Sequence, residues 1–441
     1  MAWYNPFRRK QDDEELAAPQ YAAAEDGVAI AAEAPLPIVK DRNVQKDNLP
    51  RFRGSASESR QAGTLRSSLR SRVRDSFTPT QPVDNLRLFA GREDALRSLI
   101  RSIEDQRLHV VVYGDRGIGK TSLLRIFSQV AREADYHICY HSCGQDETFT
   151  ETFRAIAANI PALLDERYDP TSSTVEERKT MGDLLPPGEL TVGQISALFS
   201  HISNSRVIVM LDEFDRSSDG EFRRNIAELV KNLSDRSIRV QLVLAGVASN
   251  LAELIGYIPS IRRNIIGLPV APMTEQEVRS LIRIGQNMSG LTFSQTAIDR
   301  VIEAAQGSPY IASMLGQYAS FGAVDSNALS VTDAHVNDAI ALAVDQLRQR
   351  VSERSLHAID RIYAEGHGPF LVSLARKALS ALGRAEVEDE AKAATVRNWF
   401  IDRHGLLAPI DDEPLKFHFR EESVPTYLTL LSAKLGSIQD E

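Results

Sequence analysis

The chain has 441 residues, enough for two or three domains, and its 43% apolar and 25% charged residues match an ordinary globular protein. A formal net charge of −9 argues against a protein that coats nucleic acid, although a local basic patch is compatible with it. Two cysteines supply no disulfide framework, no apolar run reaches the roughly 18 residues of a membrane span, and MAWYNPFRRKQDDEEL lacks a signal peptide's apolar stretch, so a cytoplasmic location is expected.

Residues 1–80 differ in composition from the rest of the chain. LAAPQYAAAEDGVAIAAEAPLP is alanine, proline and acid without periodicity, the composition of a disordered tail. RFRGSASESRQAGTLRSSLRSRVRDSF then carries seven arginines against two acids. In it Leu65, Leu69 and Val73 recur every four residues beside a stripe of Arg66, Arg70 and Arg74. That spacing fits either a short basic amphipathic helix, able to dock on a partner, acidic lipid or nucleic acid, or a solvated linker.

From Phe89 the pattern becomes regular. LFAGREDALRSLIRSI gives an entry turn and an amphipathic helix, and HVVVYGDRGIGKTSLL then runs from a strand through a glycine-rich turn into a second helix. Gly114 to Thr121 has the P-loop spacing G-x-x-x-x-G-K-T. Backbone N–H groups must wrap a polyphosphate closely here, so side chains are a hindrance at Gly114, Gly117 and Gly119. The whole loop, with Asp115, Arg116, Ile118 and Ser122, is expected to bind a nucleoside triphosphate; Lys120 supplies a cation and Thr121 a hydroxyl for Mg²⁺. RVIVMLDEFD is an apolar run suited to a strand buried on both faces, and it ends in acids. Asp212 is expected in the Mg²⁺ shell, and Glu213 is expected to polarise the attacking water.

YHICYHSC reads as another strand, and its alternating His137, Cys139, His141 and Cys143 do not make a zinc site. Along a strand the first and last would stand roughly 20 Å apart, whereas zinc needs four ligands within about 2.3 Å of one point. Thr148 with Glu151, and Thr191 with Gln194, open capped helices on either side of a surface insertion at about 165–190. RVQLVLAG and NIIGLPV complete five buried strands alternating with helices, the pattern of a parallel sheet covered on both faces. After Pro272 the strands stop. Helices starting at Thr274, Ser294, Ser308-Pro309 and beyond Ser330 predict a helical lid over 273–348. Three further helical segments precede GLLAPIDDEPLKFHF, a hairpin with an acidic tip, which suggests a winged-helix-like domain over 349–441.

With these parts in place the chain resembles AAA+ type P-loop ATPases of the branch shared by origin-recognition-like proteins and signal-transduction ATPases (STAND). The resemblance is good over about 85–345 and loose over about 350–435. It implies an α/β fold: a five-stranded parallel ATPase core over 81–272, then the lid and the winged-helix-like domain, behind a disordered tail. FAGRE resembles the family's nucleotide-gripping turn and implicates Gly91 and Arg92. The P-loop and MLDEFD match through Asp215. AGVASN puts Asn250, or Ser249, at the γ-phosphate sensor. IPSIRRN puts Arg262 or Arg263 at an arginine finger, at the end of the helix before the fifth strand. GSP puts Pro309 at the lid element that touches nucleotide. Taken as residues alone, Asn250 also fits a helix cap, the paired arginines a surface pair, and Gly-Ser-Pro a helix stop and restart.

The resemblance implies ATP with Mg²⁺, hydrolysis by in-line attack of water oriented by Asn250, and an arginine supplied by a neighbouring subunit. An isolated monomer would be slow, and the partner would be a second copy or another protein. A regulatory switch activated by assembly is one use; a DNA-engaged ATPase of the origin-recognition or transposition-helper kind is the alternative. Acids at Asp411, Asp412 and Glu413, and a mixed charge pattern over 388–404, disfavour DNA. Because every motif lies beyond residue 78, removing 1–78 is expected to leave ATP binding unchanged.

Overall fold

The computed structural model of the chain describes residues 65–167, 180–203, 205–217, 219–256, 261–381, 383–411 and 413–439, all within one packing unit. The tail expected before residue 65, the middle of the surface insertion and Asp412 lie outside the described residues.

Helix α1 (Leu65–Ser76) leads, followed by α2 (Glu93–Glu104) and strand β1 (His109–Gly114). After them come α3 (Lys120–Glu133), β2 (Tyr136–Ser142), α4 (Phe149–Ala158) and α5 (Val192–Ser200). The core ends with β3 (Arg206–Asp212), α6 (Gly220–Asp235), β4 (Val240–Val247), α7 (Leu251–Ile255) and β5 (Ile265–Pro269). The strands pair in parallel in the order β2-β3-β4-β1-β5. Helices cover both faces, which is why β1, β3 and β4 are almost continuously buried and apolar instead of alternating. Phe153, Phe199, Phe214 and Phe222 fill one side of the sheet, and Leu99, Leu123, Leu124 and Phe127 the other. All five carboxyl ends therefore open on one edge, where such sheets bind ligands.

The lid comprises α8 (Glu275–Ser289), α9 (Gln295–Ala305), α10 (Pro309–Asp325) and α11 (Asp333–Arg348), with the short strands β6 (Thr292–Phe293) and β7 (Ser330–Val331). Capping boxes form at Thr148–Glu151, Thr191–Gln194 and Thr274–Glu277. The C-terminal block comes next: α12 (Glu353–Ala364), α13 (Gly368–Ser380), β8 (Arg384–Glu386) and α14 (Glu390–Thr395), which widens into a π-helical stretch over Val396–Arg403. The hairpin β9 (Leu407–Ile410) and β10 (Glu413–Phe419) and the helix α15 (Ser423–Gln439) complete it. β8 adds to the hairpin as a third antiparallel strand, too short to show a period in sequence.

Two expectations change. Residues 65–77 are not part of a tail. Leu69, Val73 and Phe77 are buried in the lid core, and Arg66 and Arg70 both reach Asp325 at 2.5 Å. Phe77 lies over Gly285 and Gly316, where an added Cβ would stand 2.1 and 2.6 Å from its ring. The stripe at 65, 69 and 73 is visible in sequence; its partner, more than two hundred residues later, is not. Nor is 348/349 a break in packing, because α1, the lid and the C-terminal block share one core that runs through Leu347, Val351, Leu374, Phe400 and Phe417.

Phe77→Ala should lower unfolding stability by about 3–5 kcal/mol, the usual cost of emptying a buried phenylalanine site. Chemical denaturation reads this directly, and an unchanged midpoint would mean that α1 does not pack on the lid.

Candidate active site

The site begins with a close backbone approach. A Cβ on Gly114 would stand 2.7 Å from the Val270 carbonyl oxygen, so β1 can pass the end of β5 only with glycine there. The chain then turns, and Gly119 takes a φ of 99° immediately before α3 begins at Lys120. The unpaired N–H groups of the first turn of α3 thus face the hollow of the loop. Lys120 folds back under it, donating from Nζ to the carbonyl oxygens of Gly114 (2.9 Å) and Asp115 (2.8 Å). Burial pulls its pKa below the usual lysine value, and the charges of Asp215, Asp212 and Asp115 oppose the shift.

β3 delivers the acids to the same edge. Asp212 is buried; its Oδ2 accepts from the Tyr140 hydroxyl on β2 (2.6 Å) and its Oδ1 from the Glu213 N–H (2.9 Å). Burial, and next the bond to Asp212, drive the Tyr140 pKa up. Glu213 takes a left-handed backbone, φ 54°, uncommon for a residue with a side chain. Its Oε2 accepts from Arg216 Nη1 (2.7 Å) and Ser142 Oγ (3.1 Å), and Arg216 first of all holds its carboxyl below the usual range. Asp215 Oδ1 accepts from the Val247 N–H (2.8 Å), tying this turn to the end of β4.

The lid supplies the third side. Ser308 Oγ caps α10 by accepting from the Ile311 N–H (3.3 Å). Pro309 Cγ and Tyr310 Cβ stand 3.8 Å from where Cβ atoms on Gly119 and Gly117 would be. Together these parts enclose a cavity of about 520 Å³ bordered by Arg116, Gly117, Gly119, Lys120, Thr121 and Ser122. Asp212, Glu213, Asp215, Arg216 and Pro309 border it as well. Thr121 and Asp212 offer it a hydroxyl and a carboxylate, the sparse oxygen set that Mg²⁺ takes when phosphates and water complete its shell.

Other expected residues are placed elsewhere. Gly114, Asp115 and Ile118 do not border the cavity. Neither do Gly91 and Arg92, which brace the loop from behind. Arg92 donates to the Ile118 carbonyl from Nη2 (3.2 Å), to the Ala271 carbonyl from Nη1, and from its backbone N–H to Glu277 Oε1 (3.0 Å). Asn250 caps α7, accepting from the Glu253 N–H (2.9 Å), and Ser249 is bonded to Glu253; neither borders the cavity. Arg262 and Arg263 lie in a turn between Ile261, which is 3-10 helical, and β5. Pairing of His109 with Ile265 sets Arg263 level with Arg107. That is the opposite edge of the sheet, roughly 20 Å from the P-loop at strand spacing.

Sequence reasoning missed Tyr140, Ser142 and Arg216, whose roles come from neighbouring strands and turns. It also missed a strap. Residues from Ser76 to Val83 border the cavity, and the Val83 N–H donates to Ser122 Oγ (3.0 Å). Deletion of 1–78, expected to spare nucleotide binding, would remove the Phe77 anchor of this strap. The stiff Thr-Pro-Thr-Gln-Pro composition was the available signal. The C-terminal block reaches the same mouth: Glu422 borders the cavity and pairs with Arg116 at 3.2 Å.

Among solved structures, the fold is similar to the Thermotoga maritima RuvB Holliday junction branch migration motor, at 16% identity and a TM-score of 0.40, covering 77% of this chain and 95% of that one. It is similar to Cdc6p from Pyrobaculum aerophilum at 13% identity and 0.42, covering 82% and 98%. A Walker-type ATPase of Pyrococcus abyssi stands at 16% and 0.44, covering 79% and 98%. No curated protein sequence matches the chain. Residues 88–244 match the family model of the AAA ATPase domain, and the matched stretch contains both the P-loop and the acid-tipped strand.

Proposed function

We propose that the chain binds and hydrolyses ATP and that hydrolysis drives a regulatory switch activated by assembly. One observation carries this reading: the P-loop, the Asp212–Glu213 strand end and the Pro309 end of the lid face a single cavity. Lys120 and the α3 N-terminus hold the phosphates. Mg²⁺, held by Thr121 and Asp212, would neutralise their charge. Glu213 takes the proton of the attacking water once its carboxylate is free of Arg216. Asn250 caps α7 outside the cavity, so it orients that water only once α7 has moved toward the nucleotide. Arg262 or Arg263 cannot reach the nucleotide of its own chain from the far edge of the sheet, so either acts on a neighbouring copy. Such a residue contributes about 10³–10⁵ in rate.

A protein partner is favoured over DNA for the block we take as winged-helix-like over 349–441. The segment over 388–404, which would be the recognition helix of such a domain, has its cations in ion pairs: Lys392 with Glu388, Arg397 with Glu390, and Arg403 with Glu365. At the hairpin Lys416 and Arg384 are likewise paired, both with Glu413, so these cations too are already neutralised. No helix among the described residues is long and apolar enough to cross a membrane; we take the location as cytoplasmic.

Lys120→Ala should abolish Mg²⁺-dependent ATP binding at the P-loop cavity while the melting temperature without nucleotide stays within a few degrees; retained Mg²⁺-dependent affinity would sink the phosphate assignment. Glu213→Gln should bind ATP normally and accumulate the bound state, because it keeps the shape and loses the base. Hydrolysis at the parent rate would make Glu213 a structural acid. Replacing both Arg262 and Arg263 with alanine should leave ATP affinity within a few-fold and remove the concentration-dependent part of turnover. Mixing that protein with Glu213→Gln should restore activity at mixed interfaces, and failure to complement would rule out action in trans.

A further inference from the structure

We infer that the amino edge of the parallel sheet is a second anion site, which takes a short chain of phosphates. An arginine stands at the start of each of four adjacent strands. Arg206 is the first residue of β3, Arg239 precedes β4 by one residue, and Arg107 and Arg263 precede β1 and β5 by two. The registers Val207–Val240 and His109–Ile265 set Arg206 level with Arg239, and Arg107 level with Arg263. Val110–Val243 sets Arg107 within one residue of Arg239. The order β3-β4-β1-β5 makes these a row, which at about 4.8 Å between strands is roughly 14 Å long.

The row is concave and built. All four arginines border one cavity of about 550 Å³, close to the size of the P-loop cavity, and no aspartate or glutamate borders it. Glu104, Asp105 and Asp235 are near in sequence, and the pairing of Tyr136 with Arg206 sets Asp135 level with Ser205, yet none of these acids lines the cavity. Among the described residues none of the four guanidinium groups has an ion-pair or hydrogen-bond partner. Two polar side chains in the wall are almost wholly buried, His109 at 2% exposure and Gln241 at 4%. His109 Nδ1 accepts from the Leu242 N–H (2.9 Å), which leaves its proton on Nε2 as a donor; burial pulls its pKa down to about 4, so the ring stays neutral. Gln241 Nε2 donates to the Ile103 carbonyl (3.3 Å), and its Oε1 is buried without a partner. A water or hydroxyl arriving with a ligand would satisfy it.

Four like charges so close repel one another, and a polyanion relieves that repulsion. Guanidinium groups fit phosphate oxygens two at a time, and successive phosphates carry charge at a spacing that a row of arginines can match. The concavity favours a compact chain of two or three phosphates over a duplex backbone. A nucleoside polyphosphate and inorganic polyphosphate share that chemistry.

The test titrates inorganic tripolyphosphate into the full chain carrying Lys120→Ala, by calorimetry. One site is expected, with affinity that falls steeply as salt rises. Adding Arg206→Gln and Arg239→Gln should weaken it by about tenfold or more. Arg263 stays intact, because it is proposed above to act on a neighbour. The same two substitutions in the parent chain should leave ATP affinity within twofold, which shows the fold is kept and separates this site from the P-loop. ATP competing with tripolyphosphate in the Lys120→Ala protein would identify the nucleotide source; its failure to compete would leave inorganic polyphosphate. Absent tripolyphosphate binding in the Lys120→Ala chain, or binding that the arginine substitutions leave unchanged, overturns the inference. Displacement by a single-stranded oligonucleotide at far lower phosphate concentration also overturns it, in favour of nucleic acid.

Discussion

A buried ammonium group held by backbone carbonyls is the constraint on which the rest of the molecule depends. Lys120 is only 9% exposed, and its Nζ rests on Gly114 and Asp115 oxygens. Removing a cation from water is costly unless charge and hydrogen bonds replace the water. Asp212 and Asp215 supply the charge, so β3 and its turn must arrive at the same edge as β1. The carbonyls are in reach only because the loop curls, which needs the bare backbone at Gly114 beside Val270. Strand order, loop conformation and the acid-tipped strand thus satisfy one electrostatic requirement. A bound triphosphate would meet it better than the carbonyls do.

Around that cation, two bodies meet. One is the sheet with its covering helices; the other is the single core shared by α1, the lid and the C-terminal block. Some of their polar joints border the cavity and others lie away from it. The Arg92 N–H meets Glu277, Arg116 meets Glu422, Arg384 lies 3.6 Å from Glu253, and the strap from Ser76 to Val83 crosses from lid to loop. Most of these pairs are exposed and individually weak. Their weakness suits a joint that responds to charge, since a few small terms shift when phosphates enter or leave. Because the lid and the C-terminal block are packed as one, a movement of the lid would carry the block with it and not re-aim it by itself.

The sheet was legible in sequence because each buried strand is a continuous apolar run, and the P-loop because its glycines answer a backbone requirement that leaves a local trace. Capping boxes at Thr148, Thr191 and Thr274 are local for the same reason. What could not be read depends on long-range pairing. Tyr140 looks like one more strand residue until register places it beside Asp212. The α1 stripe looks like a peripheral amphipathic helix until Phe77 is found against Gly285 and Gly316. Arg92, which the resemblance implicates in gripping nucleotide, donates to the Ile118 carbonyl within the loop and to the Ala271 carbonyl beyond β5. Sequence placed the right side chain in the right neighbourhood there, and tertiary structure decided which way it faces.

The arginines show what the isolated chain lacks for chemistry. Two of them border the phosphate cavity, Arg116 and Arg216, and each is paired with a carboxylate, Glu422 and Glu213. Arg262 and Arg263 stand before the first residue of β5, a strand's length from the loop, so they cannot turn inward without unpicking the edge of the sheet. In this arrangement the cavity holds triphosphate-binding groups, but its arginines are already neutralised where charge would build in a transition state. It also keeps its candidate base below the ordinary carboxylate range, a weaker proton acceptor than a free glutamate. Under the function proposed above, such a site would grip nucleotide better than it hydrolyses it. Turnover would then require an event that frees Arg216 or Arg116, or brings in an arginine from outside, which is the behaviour the proposed switch needs.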